Sequence, residues 1–505
     1  MLLNGCGTGF YPEPGLLKGF ITPIQEIYFA FVHNQSPSAE EKYDDQTKTW
    51  IISIGPSAQF WIKALKLLLS GKYPAKRLIF NLEKETKENK LFTYHHQNLI
   101  KSFKSIATLL SSRSGHFLTS VDILDIVNLL GIIPLSRRSS QIALFQFNDN
   151  NWIKALATRK ANLLHRYVCN ISVIFQNKPN NSDFELLFHT IKINDGCQPG
   201  IINGKNAIKR AAWFQGFDSC VTTLLPNKGV STLSEINLLP FKNNFRLLKR
   251  AVYLTARMNY RQSFVKLNDG MLQNEWHTKN EELRLCGLGL TGVAAMKYFS
   301  ARDFFILNKT ANLAAEKLAK EFDSAIPKLM TCIKPSGNLS KIMGCLEWGE
   351  IPEGIHFSQS EYVFNRVIFS KNDPLLNAIK ESNYEIQPHP LDTNSCLVKF
   401  PVRYHLTNSM RSESAIDQLE QYKKLQNNWA DHNVSNTIFY RQKEIKAIIK
   451  WLDKNWDFCL GLSFNLLDNK INYPYIPQEG VKKDVFYKYC TDLKEIKVNY
   501  NDDRN

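Results

Sequence analysis

The sequence lacks the cysteine spacing of metal and redox motifs. Its ten cysteines are scattered singly, and no two stand in a C-x-x-C pair, which excludes a zinc ribbon and a thioredoxin-type site. Scattered cysteines without a disulfide framework are typical of a reducing compartment, so we expect the cytoplasm or the mitochondrial matrix. No metal site is expected at His356 or His432, because neither has a second ligand at helical or hairpin spacing.

Long apolar runs are also missing. A membrane helix needs about 18 apolar residues, and the best segment, residues 123–135, is interrupted by Asp125, Asn128 and Pro134. The amino-terminal stretch has no basic residue before Lys18, so it resembles neither a secretory signal nor an arginine-rich transit peptide. The sequence therefore predicts a soluble protein.

The chain has enough apolar residues to fold and carries a clear basic surplus. It contains 505 residues, 44% of them hydrophobic and 12% aromatic, which fits two or three domains or one large barrel. Basic residues outnumber acidic ones by 63 to 47, and residues 60–115 carry eleven basic against three acidic residues. This segment predicts a polyanion-binding face, formed by Lys63, Lys66, Lys72, Lys76 and Arg77. A merely solvated basic surface is the alternative.

Helical and strand patterns alternate along the chain. Ser57 is placed to cap a helix that Gly71 ends, and a second helix is predicted over residues 120–130 with Gly131 as its stop. Short β-rich runs are predicted at residues 141–147, 168–175, 397–401 and 437–439, and further helices at residues 311–322 and 415–425. This alternation favours an α/β architecture.

Two glycine-containing motifs bear on anion binding. Residues 287–292, G-L-G-L-T-G, match a dinucleotide fingerprint, but we reject that interpretation because the preceding residues are charged rather than a buried strand. Residues 333–341, I-K-P-S-G-N-L-S-K, predict a strand that enters a helix through a tight turn, whose free backbone N–H groups favour phosphate. The predicted phosphate ligands are Lys334, Ser336, Gly337, Asn338 and Lys341. A simple capped helix start is the alternative.

Eleven short motifs, taken in order, resemble the adenosylcobalamin-dependent (class II) ribonucleotide reductases, especially the monomeric ribonucleoside-triphosphate reductase type. They are LNGCGTGF (3–10), RRSSQIAL (137–144), CNISV (169–173), QPGIIN (198–203), RLCGLGLTGV (284–293), KPSGNLSKIMG (334–344), EGIHF (353–357), DPLL (373–376), NSCLVKFPV (394–402), WADHNVSNT (429–437) and YPYIPQ (473–478). The resemblance implies a ten-stranded α/β barrel over residues 1–480, a finger loop near residues 216–236 and a C-terminal tail over residues 481–505. It also implies that the early barrel strand or strands would precede Met1.

The resemblance implies a radical mechanism whose parts this chain only partly carries. In the family, adenosylcobalamin generates a thiyl radical on a finger-loop cysteine, a glutamate two residues later accepts a proton, and a cysteine pair donates electrons. Cys220 holds the thiyl position, but Asp218 and Thr222 stand where the pattern N-P-C-x-E has asparagine and glutamate. Ser231 holds the position of one reducing cysteine. An alcohol is no base near neutral pH, and serine forms no disulfide.

These departures leave three hypotheses. The first is a catalytically inactive relative, retained as a structural or binding component of a larger assembly. Its basic surplus would suit an RNA-containing assembly such as a mitochondrial ribosome, other protein chains would cover the open strand edge, and no cofactor is expected. The second is one chain of a split adenosylcobalamin-dependent reductase that needs a separate N-terminal polypeptide. The third is a nucleotide or cobalamin sensor that binds without turnover.

Overall fold

The protein divides into two compact units, Met1–Ile171 and Ser172–Asn505. The structure is a computed structural model that describes residues 6–32, 40–55, 57–83, 90–133, 141–157, 164–194, 196–267, 270, 272–293, 299–336, 339, 343, 360–390, 395–403, 414–467 and 478–497. Helices and strands alternate in both units, which confirms the predicted α/β class. Across the described ranges, every helix is too short or too polar to span a lipid bilayer.

The first unit is a small mixed sheet with helices beside it. Its elements are β1 (Thr8–Phe10), β2 (Glu26–Val32), β3 (Glu41–Asp44), β4 (Thr49–Ile54), α1 (Ala58–Ser70), β5 (Arg77–Glu83), α2 (Lys90–Ser112), α3 (Ser120–Ile132), β6 (Gln141–Gln146), α4 (Asn151–Ala157) and the start of β7 (Cys169–Phe175). Four strands form a sheet in the order β2-β5-β4-β3, in which β2 and β4 run parallel to β5. β1 pairs with β6 in parallel.

One face of this four-stranded sheet forms the core of the first unit. Trp50 and Phe80 alternate with outward residues along their strands and join a cluster with Trp61, Ala64 and Leu68 of α1. The period of two along the strands and the helical spacing along α1 bring these side chains together. The opposite face carries the residues that alternate with them.

The two predicted helices of this unit exist, but only one ends as expected. Ser57 precedes α1, and Gly71 ends it in the left-handed region with φ of 54°, because glycine adopts that conformation without strain. The prediction for α3 is wrong at its end, since the helix continues through Gly131 to Ile132. A Cβ at position 131 would lie 2.7 Å from the Gln141 side chain, so this glycine permits a close approach.

The second unit contains the remaining elements. They are α5 (Asn181–Ile193), β8 (Gly200–Asn203), α6 (Gly204–Arg210), β9 (Gly216–Phe217), β10 (Leu224–Leu225), β11 (Thr232–Asn237), α7 (Phe245–Gln262), α8 (Asn274–Leu283), β12 (Cys286–Thr291), α9 (Ala301–Glu321), β13 (Tyr362–Ser370), α10 (Leu375–Glu381), β14 (Ile386–Pro388), β15 (Ser395–Arg403), α11 (Ala415–Asn428), β16 (Thr437–Tyr440), α12 (Ile445–Asn455), β17 (Gly461–Leu466), β18 (Gln478–Gly480) and α13 (Lys483–Thr491). The strands and helices predicted in this unit are confirmed, although the helix predicted over residues 311–322 begins earlier, at Ala301.

The second unit combines parallel and antiparallel strand pairings. β7 runs parallel to β8, β8 runs antiparallel to β17, and β17 runs parallel to β16. β11 and β12 form a parallel pair over six residues, and single parallel bridges join Leu288 to Thr331 and Ile333 to Val434. The sheets of the described residues include no closed ten-stranded barrel, so the barrel stays an expectation from the resemblance.

A separate antiparallel sheet packs against helix α13. Its order is β14-β15-β13-β18, and Phe486 of α13 packs against Tyr362 and Phe364 of β13. The described part of residues 481–505, assigned to a tail from the sequence, therefore includes a helix packed on this sheet.

Candidate functional site

The finger loop contains a tight hairpin. β9 and β10 pair antiparallel, with Phe217 opposite Leu224, and the turn between them carries Cys220 on an exposed position. The carboxylate of Asp218 closes the turn, because its Oδ1 atom accepts the backbone N–H groups of Thr222 at 2.6 Å and Thr223 at 2.8 Å. Asp218 thus has a structural task inside the loop itself.

Burial acts on this carboxyl more strongly than its hydrogen bonds do. Desolvation raises the pKa of Asp218 above its ordinary value, although the backbone N–H groups of Thr222 and Thr223 act in the opposite direction. A charged carboxylate surrounded by protein is costly unless it is paired. Asp218, at the position where the resemblance implies asparagine, is therefore a carboxyl whose pKa burial shifts upward.

Two hydroxyl residues of the loop, Thr222 and Ser231, are buried and hydrogen-bonded, respectively. Thr222 is 1% exposed, and its Oγ1 atom has no hydrogen-bond partner among the described residues. The hydroxyls of Thr223 and Ser231 lie 2.8 Å apart and share a hydrogen bond. The predicted proton-acceptor position therefore holds a buried alcohol, and the predicted electron-donor position holds a half-buried one.

Residues from the WADHNVSNT segment, 429–437, hold the loop from outside. Val221 has a φ of 55°, a strained conformation for a β-branched residue. The Asn433 side chain donates to the Val221 carbonyl and the Ser435 hydroxyl to the Cys220 carbonyl, each at 2.6 Å. Gly461 makes room, because a Cβ there would lie 2.7 Å from Val221 Cγ1.

His432 belongs to the same support. Its Nδ1 atom accepts the backbone N–H of Leu224 at 3.1 Å, and its Nε2 atom donates to the Cys286 carbonyl at 2.9 Å. Burial lowers the pKa of His432 to about 4, so the ring is neutral at pH 7. No group of three potential metal ligands occurs in the part of the chain that the structure describes, and His356 lies outside it.

Strands β11 and β12 present one face to the finger loop and the other to α7. Thr232 donates its hydroxyl to the Asn259 carbonyl of α7 at 3.1 Å, so α7 covers that side. A Cβ at Gly287 would lie 2.4 Å from the Leu233 side chain, 3.1 Å from Cys332 Sγ and 3.2 Å from Thr223. We call the side that carries these contacts the inner face. Burial raises the pKa of the Cys332 thiol well above its ordinary value.

Glu235 is a buried carboxylate on the inner face that the sequence analysis missed. Its side chain is 0% exposed, and one oxygen lies 3.3 Å from Lys334 Nζ. The other oxygen, Oε1, has no partner among the described residues. Lys334 reaches it across Gly289, where a Cβ would lie 3.4 Å from Lys334 Cγ. No clear signal for this burial is present in the sequence, because β11 reads T-L-S-E-I-N and mixes polar with apolar residues.

The structure describes only part of the predicted phosphate site. Lys334 is already paired with Glu235, and Ser336 is 6% exposed with a positive φ of 56° and an Oγ atom that has no partner among the described residues. Gly337, Asn338 and Lys341 lie outside those residues. The rejected dinucleotide motif forms β12, a fully buried strand, whereas a phosphate-binding loop needs a turn.

The structure does not bring the five predicted polyanion ligands onto one surface. Lys63 and Lys66 lie on the exposed side of α1. Arg77 alternates with buried Leu78 along β5, so it lies on the sheet face away from α1, where it pairs with Glu26 at 2.7 Å. Lys72 pairs with Glu41 at 2.5 Å, and Lys76 is exposed.

Comparison with known proteins first defines the class of fold. No family model matches the chain. The crystal structure of a B12-dependent (class II) ribonucleotide reductase superposes with a TM-score of 0.75, covering 97% of this chain and 76% of that chain at 19% identity. The fold is therefore that of a class II ribonucleotide reductase.

Sequence comparison then identifies the relatives. The chain is similar to the adenosylcobalamin-dependent ribonucleoside-triphosphate reductases of Lactobacillus acidophilus (25% identical over 464 residues), Lactobacillus helveticus (26% over 467) and Lactobacillus leichmannii (26% over 392). These matches cover 80%, 80% and 68% of this chain but 60%, 60% and 52% of the relatives. The chain thus spans roughly half to three fifths of the curated relatives it matches. The resemblance predicted from the motifs is confirmed, since these reductases are homologues of the chain.

Proposed function

We propose that this chain is a catalytically inactive relative of the class II reductases, retained as a structural or binding component of a larger assembly. The observation that carries the proposal is the state of the finger loop. Thr222 and Ser231 place alcohols where the family has its proton acceptor and one electron donor, and the Ser231 hydroxyl is bonded to Thr223. The carboxylate within the turn, Asp218, is bonded to the turn's own backbone.

The loop fits only one part of cobalamin-dependent chemistry. When bound, adenosylcobalamin supplies a radical that can remove hydrogen from a thiol, and the exposed Cys220 is a thiol suited to that role. The later steps need a base and a two-electron donor, and alcohols at positions 222 and 231 supply neither. The residues therefore do not fit the complete reaction, and we expect no resident cofactor.

The proposal keeps the barrel as the retained scaffold. The pairings of the second unit give the continuous strand order β7-β8-β17-β16, then residues 331–333, β12 and β11, with a change of direction between β8 and β17. This order supports a barrel of the family's type, to which these seven strands would contribute. Protein chains that cover open strand edges, an RNA-containing assembly and a mitochondrial setting remain predictions from the sequence.

The test is an activity assay with a thiol control. The full-length chain is mixed with adenosylcobalamin, each ribonucleoside triphosphate and a dithiol reductant, and deoxynucleotide and the cob(II)alamin spectrum are measured. We expect no product above the level of a Cys220→Ser variant. Product or cob(II)alamin formation that depends on Cys220 would overturn the proposal.

One observation favours the split-enzyme alternative. The exposed Cys220 thiol shares a turn with the Asp218 carboxyl, whose raised pKa moves it toward the range of a general acid or base. If a separate polypeptide supplies the missing groups, the same assay becomes positive when that polypeptide is added, and Asp218→Asn then lowers the rate. For the sensor hypothesis, calorimetry with nucleotides would detect binding that Lys334→Ala weakens.

A further inference from the structure

A second basic region lies on α7, far along the sequence from the one predicted at residues 60–115. Residues 242–266 contain seven basic residues and no acidic residue. One of these, Arg257, forms a two-pronged ion pair with Glu321 of α9 at 2.7 and 2.9 Å. The exposed basic residues of the helix include Arg246, Lys249, Arg250 and Arg261. The outer side of α7 therefore carries positive charge without acidic residues of its own.

The same outer side carries large apolar side chains in the open. Leu247, Leu254 and Met258 are 48%, 51% and 62% exposed. Their spacing of seven and eleven residues from the first puts them on one stripe of the helix, about 16 Å long at a rise of 1.5 Å per residue. The opposite stripe of α7 is buried in the core through Leu248 and Val252, among others. Scattered exposed leucines are common in proteins, but a straight row on one helix is not scattered.

We propose that the outer face of α7 is a docking surface for an acidic amphipathic helix of a protein partner. Charge complementarity selects an acidic occupant, because Arg246, Arg250 and Arg261 are exposed and no acidic residue occurs within 242–266. The aliphatic stripe selects a protein rather than a nucleic acid. Phosphates would engage the arginines but leave Leu254 and Met258 in water, and neither side chain is an aromatic platform for bases.

A helix is the occupant that satisfies both features at once. Its apolar stripe would cover Leu247, Leu254 and Met258 by the ridge-and-groove packing of two helices. Acidic residues beside that stripe would pair with Arg250 and Arg261, which flank the apolar row. The inference names a partner for the assembly component proposed above and depends on that role, but not on the chemistry of the finger loop.

The test uses a synthetic helix and matched surface variants of the full chain. The probe is a peptide of about three heptads with leucine at the a and d positions and glutamate at e and g, and binding is measured by fluorescence anisotropy. We expect binding that falls at least tenfold in Leu254→Asp/Met258→Asp and in Arg250→Glu/Arg261→Glu. A peptide with glutamine in place of glutamate should bind at least fivefold more weakly.

The control variant is Ile62→Asp on α1. Ile62 is 45% exposed and stands next to Lys63, so it repeats the apolar and basic surroundings on another helix, and we expect it to bind like the wild type. Circular dichroism of each variant confirms the fold. Equal loss in Ile62→Asp, no peptide binding, self-association through α7, or binding of polyuridine RNA that ignores Leu254 and Met258 would each overturn the proposal. None of these results depends on whether Cys220 supports turnover.

Discussion

The finger-loop turn and the segment that supports it differ in how fully their polar side chains are hydrogen-bonded. Residues 429–437 keep a buried polar network in which His432, Asn433 and Ser435 all bond to the loop or its neighbours. In the finger loop, the Thr222 hydroxyl has no partner among the described residues, and the Ser231 hydroxyl bonds to Thr223. The two sets of side chains are therefore expected to contribute differently to the free energy of unfolding. Losing a buried hydrogen-bond partner lowers the free energy of unfolding, whereas removing a buried hydroxyl that has no partner costs little or none.

The largest expected effect concerns His432 and pH. Its folded-state pKa of about 4 lies below the ordinary value of 6.5. Between these two pH values the unfolded chain binds a proton at His432 that the folded chain does not bind. The stability that His432 contributes is therefore complete above pH 6.5 and is lost as the pH falls toward 4, by about 3 kcal/mol in total. Urea unfolding at a series of pH values should show a flatter dependence in His432→Asn. An unchanged slope would mean that the ring is not buried in the folded protein.

Removing Asn433 should break the support directly. Its side chain donates to the Val221 carbonyl and accepts the Gly461 N–H, so Asn433→Ala leaves two polar groups without partners and should cost about 2 kcal/mol in free energy of unfolding. Urea denaturation followed by tryptophan fluorescence measures the loss. Asn428→Ala, which removes a side-chain bond within α11, is the control and should cost about 0.5 kcal/mol or less. Equal losses of stability in Asn433→Ala and Asn428→Ala would mean that Asn433 supports the finger loop no more than Asn428 supports its own helix.

Two glycines of β12 allow a finer test of the scaffold. A Cβ at Gly287 would lie 2.4 Å from Leu233 Cδ2, whereas at Gly289 the nearest atom, Lys334 Cγ, is 3.4 Å away. Gly287→Ala should therefore destabilise the protein by about 1–2 kcal/mol through overpacking. Gly289→Ala should cost less than about 1 kcal/mol because a flexible lysine can yield. Thermal melting of the two variants compares them, and the reverse order would contradict the packing of this face.

The smallest effect on stability is expected at position 222 of the finger loop. The Thr222 hydroxyl is buried without a partner among the described residues, so Thr222→Val should leave stability unchanged or raise it by up to about 1 kcal/mol. Thr331 is the matched control, since it is also buried but donates to the Trp429 carbonyl and accepts from Asn308. Thr331→Val should cost about 1–3 kcal/mol. A clear loss in Thr222→Val would instead assign that hydroxyl a structural bond.

Local patterns predicted the elements better than they predicted the surfaces. The strands at residues 141–147 and 168–175 and the helix after Ser57 follow from side-chain period and caps, which are local properties. The prediction at Gly131 was wrong because a glycine that ends a helix and a glycine that lets another side chain come close look alike in sequence. Only the position of the Gln141 side chain in the structure distinguishes the two. The polyanion-binding face at residues 60–115 stays a prediction, and charge counting alone does not reveal that Arg77 lies on the sheet face away from α1, the helix that carries Lys63.

The candidate site could be predicted only in part from the sequence, because some of its contacts depend on how strands pair. Motif order placed Cys220, Asp218 and Thr222 in one turn, which the structure confirms. It gave no hint that Glu235 reaches Lys334, because that contact crosses β12 and depends on strand register. The basic row on α7 was readable in principle, since the run without an acidic side chain over residues 242–266 is visible in the printed sequence. The exposed apolar stripe of α7 could not be predicted in the same way, because the structure is needed to show which side of the helix packs on the core.

The strained conformation of Val221 has a consequence for the order of folding. A valine with φ of 55° does not hold that shape alone, and the groups that fix it, from Asn433, Ser435 and Gly461, come more than 200 residues later in the chain. During synthesis the turn around Cys220 therefore leaves the ribosome well before its supports exist. Until those residues arrive, the side-chain bonds available to the turn are the local ones from Asp218 to the N–H groups of Thr222 and Thr223.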